Sequence, residues 1–470
     1  MRRLAGLLLV ILGVGATPAC AQPSNFEHII VIVQENRTPD NLFYALCSKA
    51  PCSTHPGAAQ YDIQTRNWLD KNVQGGNISP SPVPLANNYD PGHAHHDFVV
   101  MCDRAEGSDT CRMDGADNIS CDRKCPPNAE FKYVDNSSGI LDPYLFLATQ
   151  YGWANYMFQT NQGPSFPAHQ FLFGATAAPN KADDHKGIFA AENLGKVKSN
   201  GCIAAPTSRV QLIGPDGGED LAAIYPCFEH FTIADVLDRR SVSWRYYTPG
   251  PGDLWSAPDA IKHICKPSNG QCAGSLWQNN VALNPIDAFP DIAGCKLRGV
   301  SWIIPSAQFS DHAGSNTGAG PAWVAGLVNA IGHSSCRNAD NSTYWDSTAI
   351  VLTWDDWGGW YDHEPPTFLP YPEGGYQFGF RVPLIFISAY TPQGHIDNKQ
   401  QDFGSIARFI EYNFGIRMGE LTFADARSKR NLGEFYDLSM PARPFVTIPA
   451  PSVAGAVHPD TLKLEPPDDD

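Results

Sequence analysis

The sequence predicts an α/β fold in which a mostly parallel central sheet is flanked by helices and carries long loops held by disulfide bonds. Short apolar runs alternate with helical patterns along the 470 residues, which is the order typical of a parallel sheet. The 41 glycines and 39 prolines indicate long loops. The 13 cysteines are the third observation, because so many favour disulfide bonds in an oxidising compartment.

Five apolar runs are predicted to be strands of this sheet. They span residues 28–33 (HIIVIV), 242–247 (VSWRYY), 300–305 (VSWIIP), 349–354 (AIVLTW) and 382–388 (VPLIFIS). Helical patterns lie between or after them, in FTIADVLDRR, PAWVAGLVNAIG and FGSIARFIEYNFG. Ligands of such sheets bind beyond the carboxyl ends of the strands. Residues that directly follow the strands are therefore the first candidates for a functional site.

The N-terminal segment has the layout of a secretory signal peptide. A pair of arginines precedes an apolar run from Leu4 to Val14, and small residues around Cys20 close the segment. We predict a signal peptide over residues 1–21 and a single secreted or periplasmic domain with loop insertions over residues 22–470, although this length also suits two modest domains. A membrane anchor is the alternative, but the run is shorter than the roughly 18 to 20 residues of a span. Lipidation of Cys20 and twin-arginine export are weaker alternatives, and no second run predicts a stable membrane span.

Removal of the signal peptide leaves twelve cysteines, an even number that predicts a disulfide framework. The simplest pairing joins neighbours in sequence. These pairs are Cys47 with Cys52, Cys102 with Cys111, Cys121 with Cys125, Cys202 with Cys227, Cys265 with Cys272, and Cys295 with Cys336. Spacing alone does not determine connectivity. A zinc cluster built from the second and third pairs is the competing hypothesis, although the paired spacing of zinc knuckles is missing.

Charge composition disfavours nucleic acid as a partner. The chain has 49 acidic and 33 basic residues and a formal net charge of -16. A nucleic-acid-binding protein needs a cationic surface that displaces counterions from phosphates. The acidic surface is instead typical of a protein that stays in solution.

Acidic and amide side chains follow two of the predicted strands. Glu35 and Asn36 come just after the first strand, and Asp355 and Asp356 directly follow the fourth. If these strands are neighbours, the side chains form an all-oxygen cluster, and carboxylates that close repel one another unless a cation or protons intervene. Oxygen ligands favour one hard divalent cation such as Ca²⁺, Mg²⁺ or Mn²⁺. The alternative is that each acid only caps a following turn or helix.

Motifs from VQENRTPDNLF to WDDWGGWYDHEPP occur in an order that resembles the bacterial phosphoesterase family of acid phosphatase A and secreted phospholipases C, which has an alkaline-phosphatase-like fold. VQENRTPDNLF is similar to the signature that opens the family, and WDDWGGWYDHEPP followed by GFRVPLIFIS is similar to its second signature. DPGHAHHDF, CRMDG, NQGPSFPAHQFLFGAT and SDHAGSNTGAGPAWV match the intermediate blocks in order. The resemblance runs from about residue 26 to about residue 412, and the ordered set is far more specific than any one block.

The resemblance implies a metal site and a nucleophile. It makes Glu35, Asn36, Asp355 and Asp356 metal ligands, and it makes Ser165 both the nucleophile and a further metal contact. The residues around Ser165 agree independently, because a proline and an apolar pattern follow it and predict a helix N-terminus. Such a terminus favours a phosphate oxyanion. The alternative is that Ser165 is only the N-cap of that helix.

Histidines are the candidates for proton transfer. His93 and His312 lie in matching blocks, so they resemble residues that bind phosphate or protonate the leaving alkoxide. His95 and His96 compete with His93 for the same role, because a small shift of the alignment exchanges them. His363, in the YDH signature, is a candidate for the same chemistry or for holding the loop around the metal.

The resemblance implies a secreted, metal-dependent phosphoric ester hydrolase that acts through a phosphoserine intermediate. Asp-Asp stands where the phospholipases commonly have Asp-Glu, which favours the acid phosphatase side, with a small phosphoester as substrate. Thr38-Pro39 replaces the family's usual Ser-Phe, a change to the loop that removes no ligand. The first alternative is a phospholipase C that cleaves phosphatidylcholine-type diesters. An alternative of another class is a secreted binding protein that kept the fold and lost catalysis.

Overall fold

An eight-stranded sheet forms the centre of the protein. The computed structural model describes residues 25–450 except residues 123–124, 196–197, 315–316 and 370–376, so the predicted signal peptide lies outside the described residues. The strands of the sheet are β1 His28–Gln34, β2 Gly152–Phe158, β3 Trp244–Tyr247, β4 Val281–Ala282, β5 Val300–Ile303, β6 Thr348–Trp354, β7 Leu384–Ser388 and β8 Ile396–Asp402.

The sheet is mostly parallel, as predicted. Its strand order is β4-β3-β5-β1-β6-β7-β2-β8. Strand β7 is antiparallel to β6 and to β2, and the remaining pairings are parallel. All seven residues of β1 and of β6 are buried, because parallel strands with helices on both faces are continuous apolar runs.

Among the described residues, five helices have eight or more residues. They are α1 His95–Cys102, α2 Asp142–Gln150, α3 Ser165–Gly174, α4 Gly320–Gly332 and α5 Phe403–Asn413. The shorter helices are Pro39–Leu42, Lys181–Lys186, Ile233–Arg239, Lys262–Cys265, Ser275–Asn280, Ala288–Ala293, Tyr344–Ser347 and Thr422–Arg427. The short strand pairs outside the sheet are Trp68–Leu69 with Asn77–Ile78, Ser81–Val83 with Lys132–Val134, Asp90–Pro91 with Cys121–Asp122, Phe189–Ala190 with Leu212–Ile213, and Pro267–Ser268 with Gln271–Cys272.

The helices cover both faces of the sheet. Helix α3 packs against α5, and α2 packs against α4. Trp302 of β5 donates its indole N–H to a carbonyl of α3, whereas Trp354 of β6 packs edge-on against Tyr144 of α2. These two tryptophans lie beside Val31 and Gln34 of β1, three positions apart, and so point to opposite faces. The hydrophobic core therefore has two layers, one on each side of the sheet.

The five predicted strands and three predicted helices are confirmed, with boundaries that differ by two residues or fewer. The second predicted strand begins at Trp244 and the third ends at Ile303, before Pro305, a residue that has no N–H for a sheet ladder. The sequence did not reveal β2, β4 and β8. Strand β8 contains the polar run NKQQD and is half exposed at the sheet edge, so its residues do not show the apolar pattern of a buried strand.

All six predicted disulfides join the cysteines paired above. The zinc hypothesis is wrong, because Cys102 bonds to Cys111 and Cys121 bonds to Cys125, which leaves no thiolate there for a metal. Five of these bonds close segments outside the central sheet, whereas the bond from Cys295 to Cys336 closes a segment that contains β5 and α4. Among the described residues, none of the helices combines the length and apolar character that crossing a membrane requires.

Candidate functional site

The two pairs of polar residues that follow β1 and β6 lie together at the carboxyl edge of the sheet. Strands β1 and β6 are parallel neighbours along their whole length, and Gln34 lies beside Trp354 at their ends. Glu35, Asn36, Asp355 and Asp356 follow and are fully buried. Parallel neighbours necessarily bring their carboxyl ends to the same edge.

Asp355 connects the two strand ends directly. The Asn36 backbone N–H donates a 3.1 Å hydrogen bond to Asp355 Oδ1. Asn36 itself has a left-handed backbone with φ of 57°, a conformation that asparagine tolerates better than most residues. Asp355 Oδ2 and Asn36 Oδ1 are buried and have no hydrogen-bond partner among the described residues. Two oxygens in this cluster are therefore available to a ligand.

The double glycine in WGGW permits a close approach of the loop to β1. The Gly358 N–H donates a 2.7 Å hydrogen bond to Asp356 Oδ1, which holds the turn that follows β6. Gly358 has φ of +61°, and a Cβ at this position would lie 2.5 Å from the Asn36 carbonyl oxygen. Only glycine fits this position without moving Asn36.

Ser165 is the first residue of α3, as the sequence predicts, and its hydroxyl donates a 3.0 Å hydrogen bond to Asp356 Oδ2. The N-cap position is held by Pro164, so the alternative in which Ser165 serves as the N-cap is wrong. The following residue, Phe166, donates its backbone N–H to Asn193 Oδ1 at 2.9 Å. Helix α3 thus directs its N-terminus, with its positive dipole end, at the acidic cluster.

His169, which the sequence analysis did not select, lies in the same cluster. Its Nε2 is 3.2 Å and 3.4 Å from the two Glu35 oxygens and 3.6 Å from Asp355 Oδ2. The signal was present in SFPAHQF, because positions i and i+4 share one face of a helix. His169 therefore faces the same side of α3 as Ser165.

His93 holds Asn36. Its Nδ1 donates to the Pro91 carbonyl oxygen at 3.0 Å, and its Nε2 accepts from Asn36 Nδ2 at 2.9 Å. Both bonds suit the neutral tautomer with its proton on Nδ1. Of the three candidate histidines, His93 is the one that contacts Asn36, whereas His95 pairs with Glu219 and His96 is exposed.

His312 lies near His93, with 6.0 Å between the ring centroids, and Trp255 covers it with a centroid separation of 5.9 Å. Its Nδ1 donates to the Ala313 carbonyl oxygen at 2.6 Å. The neighbouring Asp311 accepts from Tyr144 and Trp354, and burial raises the pKa of Asp311 to about 6. These bonds fix the loop that carries His312.

His363 lies in a separate buried network of charges rather than in the acidic cluster. Its Nδ1 is 2.8 Å from Asp40 Oδ2 and its Nε2 is 2.9 Å from Asp62 Oδ1. Arg381 joins the network through a two-pronged pair with Asp362 at 2.7 Å and 3.1 Å. Burial opposes charging of His363, but the Asp40 and Asp62 carboxylates together outweigh burial and raise the pKa of His363 to about 10. The network ties the loop after β6 to the segment after β1.

His363→Gln is expected to lower the free energy of unfolding by about 3 to 5 kcal/mol near pH 6, because one partner of a buried ion pair is lost. The folded-state pKa of about 10 exceeds the unfolded value, which is near 6.5. The stabilisation is therefore complete below about pH 6.5 and is lost as the pH rises through about 10. Melting temperatures from pH 5 to pH 10 test this, with the exposed His96→Gln as control. An equal difference between variant and wild type at every pH would contradict it.

The residues present fit a cation. Three carboxylates are buried in one place, where like charges need a counter-charge. Single ligand atoms of Glu35, His169 and Asp355 lie within 4.8 Å of one another. The two oxygens without a hydrogen-bond partner belong to this cluster. Glu35, Asn36, Asp355 and Asp356 are thus the residues that could hold a divalent cation next to Ser165.

Comparisons with known proteins identify relatives over most of the chain. The profile of the Phosphoesterase family matches residues 26–417. The chain is 23% identical to phospholipase C A of Mycobacterium tuberculosis over 453 residues, covering 87% of this chain and 76% of the relative. It is 27% identical to non-specific phospholipase C1 of Arabidopsis thaliana over 428 residues, covering 85% of this chain and 68% of the relative.

Partial and structural likenesses are also found. The non-hemolytic phospholipase C of Pseudomonas aeruginosa is 24% identical over 221 residues, or 41% of this chain and 31% of that protein. Among solved structures, a protein in the alkaline phosphatase superfamily from Vibrio parahaemolyticus has a TM-score of 0.32 and 12% identity, with 64% of each chain covered.

Proposed function

Since this chain belongs to the Phosphoesterase family and is a hydrolase acting on phosphoric esters, we propose that Ser165 is its nucleophile and that it depends on one divalent cation. The resemblance predicted from the motifs is confirmed over nearly the same residues. The observation that carries the proposal is the 3.0 Å hydrogen bond from the Ser165 hydroxyl to Asp356, at a helix N-terminus and beside a buried acidic cluster.

The cation would be held by Glu35, Asn36, Asp355 and Asp356, with Ser165 as a further contact. When bound, it would supply positive charge that lowers the pKa of a nearby hydroxyl and neutralises the phosphoryl oxygens. Two observations support a cation at this place. Asn36 Oδ1 and Asp355 Oδ2 have no hydrogen-bond partner among the described residues, and the three carboxylates are buried.

The reaction we propose is a displacement at phosphorus in two steps. The Ser165 oxygen forms a bond to phosphorus as its proton passes to Asp356 Oδ2, the acceptor of its hydrogen bond, and the bond from phosphorus to the substrate oxygen breaks with the electron pair going to that oxygen. The N-terminus of α3 attracts the anionic phosphate. Water then attacks the phosphoserine and gives a proton to His312, which lost one in the first step. The bond between Ser165 and phosphorus breaks, the serine oxygen regains its proton from Asp356, and phosphate, or a phosphomonoester from a diester substrate, is released.

The two histidines take different roles. His312 protonates the departing oxygen in the first step, because the hydrogen bond from its Nδ1 to Ala313 directs the proton exchange to Nε2. His93 positions Asn36, since its Nε2 already accepts from the Asn36 amide. This assignment narrows the shared role that the sequence implied for both residues.

Two substrate classes are compatible with this chemistry. The first candidate is a small phosphomonoester. It is favoured because the Asp355-Asp356 pair resembles the acid phosphatases of the family more than the phospholipases. The second candidate is a phospholipid diester, and the observation in its favour is that the curated relatives described above are named phospholipases C. We also propose that residues 22–470 form one secreted or periplasmic domain, a compartment that suits six disulfides.

A substrate panel tests the function. Purified protein is assayed on a nitrophenyl monoester, a bis-nitrophenyl diester and phosphatidylcholine, each with and without a chelator, and Ser165→Ala corrects for background. We expect hydrolysis of the monoester that the chelator abolishes and an added divalent cation restores. Faster cleavage of phosphatidylcholine would select the second candidate. If no substrate is hydrolysed with any of the metals supplied, the alternative of a binding protein that has lost catalysis is favoured.

His312→Ala is expected to slow esters with poor leaving groups at least about 100-fold more than nitrophenyl esters. The physical reason is that a nitrophenolate leaves without protonation, whereas an alkoxide needs a general acid. Turnover numbers on an alkyl phosphate and a nitrophenyl phosphate measure the difference. His96→Ala, on the surface, is the control. An equal loss on both esters would instead indicate that His312 binds phosphate.

A further inference from the structure

The imidazole of His169 adds a nitrogen atom to the otherwise all-oxygen cluster. His169 is 1% exposed, and its Nε2 faces both oxygens of Glu35 and one of Asp355. It lies one helical turn after Ser165 on α3. The backbone of His169 is therefore fixed relative to that of Ser165 by the same helix.

The distances at Nε2 do not describe a strong ion pair. An imidazolium bonded to one carboxylate is about 2.7 to 2.9 Å from the accepting oxygen. Nε2 is instead 3.2 Å, 3.4 Å and 3.6 Å from three oxygens of two different carboxylates. Nε2 is therefore shared among oxygens of both carboxylates, with Glu35 Oε1 the nearest of the three.

The same distances suit atoms that share one ion. Ligand atoms that are about 2.1 Å from a metal are about 3.0 Å apart in octahedral and about 3.4 Å apart in tetrahedral coordination. The separations of Nε2 from the Glu35 and Asp355 oxygens, 3.2 Å to 3.6 Å, agree with that spacing. Asp355 Oδ2 is also one of the oxygens with no hydrogen-bond partner.

We propose that His169 Nε2 is a ligand of the cation in this site and that it shifts the site's preference from hard ions such as Ca²⁺ and Mg²⁺ to a later transition ion such as Zn²⁺ or Co²⁺. This inference rests on the proposed function, which places the cation here. Calcium and magnesium bind oxygen ligands, whereas imidazole nitrogen suits the later first-row ions. The sequence favoured a hard cation because its predicted ligands were all oxygens, and the fold adds the nitrogen.

The alternative is that His169 is a charged counter-ion of Glu35 and Asp355. A protonated imidazole would compensate the carboxylates and compete with the cation for the same oxygens. The two hypotheses make opposite predictions for His169→Asn, since removal of a ligand weakens binding of a transition ion and removal of a counter-ion strengthens binding of any divalent cation.

The test measures metal binding rather than activity. Metal-stripped wild type, His169→Asn, His169→Gln and the surface control His96→Asn are dialysed against Zn²⁺, Co²⁺ or Ca²⁺, and bound metal is determined by elemental analysis. We expect His169→Asn and His169→Gln to bind Zn²⁺ and Co²⁺ roughly 10- to 100-fold more weakly, with Ca²⁺ affinity changed about threefold or less. His96→Asn should match wild type.

A second measurement detects the coordinated imidazole directly. In Co²⁺-loaded wild type, a coordinated imidazole has an exchangeable ring N–H proton with a large paramagnetic shift in the proton NMR spectrum. We expect this resonance, and we expect it to disappear in His169→Asn. A Co²⁺-loaded wild type without it would overturn the proposal.

The outcomes separate the two proposals. If Asp355→Asn loses the cation while His169→Asn keeps the wild-type ratio of Zn²⁺ to Ca²⁺ affinity, His169 is not a ligand and the proposed function stands. If wild type binds no divalent cation, both proposals fail. Tighter Ca²⁺ binding by His169→Asn would overturn the ligand role in favour of the counter-ion.

Discussion

Asp355→Asn is expected to weaken cation binding and to slow turnover, each by at least about 100-fold. The substitution keeps the size of the side chain and an oxygen that can accept from the Asn36 N–H, but it removes the negative charge next to the unbonded Oδ2. Glu35→Gln should behave in the same way, because both carboxylates belong to one buried cluster. The loss then reports on the site rather than on the fold.

Metal should also stabilise the wild type more than these variants. The unfolded chain cannot bring Glu35 and Asp355 together, so a cation at 1,000 times its Kd adds about 4 kcal/mol to the free energy of unfolding. Elemental analysis, melting temperature with and without metal, and turnover are measured on the same preparations, and Asp109→Asn is a matched control on an exposed carboxylate. Full metal content and full activity in Asp355→Asn would contradict the metal site and would mean that these carboxylates only cap turns.

Ser165→Ala is expected to reduce turnover at least about 1,000-fold while much of the cation stays bound. The substitution deletes the proposed nucleophile and its hydrogen bond to Asp356, but it leaves all the carboxylates and Asn36 in place. Loss of a nucleophile removes the covalent route, and what remains is catalysis by binding and charge. A loss of turnover that greatly exceeds the loss of bound cation indicates a nucleophile, whereas equal losses indicate a metal ligand.

The control for this serine is Ser388→Ala, which makes the same substitution at a buried residue of β7. Ser388 lies beside Ala349 near the start of β6, at the opposite end of the sheet from the site. Acid-quenched wild type should also carry phosphate on the peptide that contains Ser165, and Ser165→Ala should not. Retention of more than about a tenth of the activity by Ser165→Ala would rule out the serine mechanism.

Strand direction, one strand of the sheet and the contacts of three histidines could not be predicted from short stretches of the sequence. Strand β7 is as apolar as β6, yet it runs in the opposite direction, and hydrophobic pattern alone does not specify strand direction. Strand β2, GWANYMF, lies between β7 and β8, and its apolar pattern is interrupted by Asn155. The roles of His93, His95 and His96 differ because Asn36, Glu219 and solvent, respectively, lie opposite them.

The sequence by itself predicted the strands that form the centre of the sheet and the acidic residues that follow two of them, because each depends on residues close together in the chain. It gave the disulfide pairing only as the simplest arrangement, since two of the six bonds join cysteines 25 and 41 positions apart. Burial in a parallel sheet requires an apolar run, and cysteines a few residues apart are easily joined. Only the tertiary structure brought His169 to Glu35 and placed His363 with Asp40 and Asp62. Those contacts join residues separated by 134 to 323 positions, and their energies arise from burial and charge that exist only once the sheet has assembled.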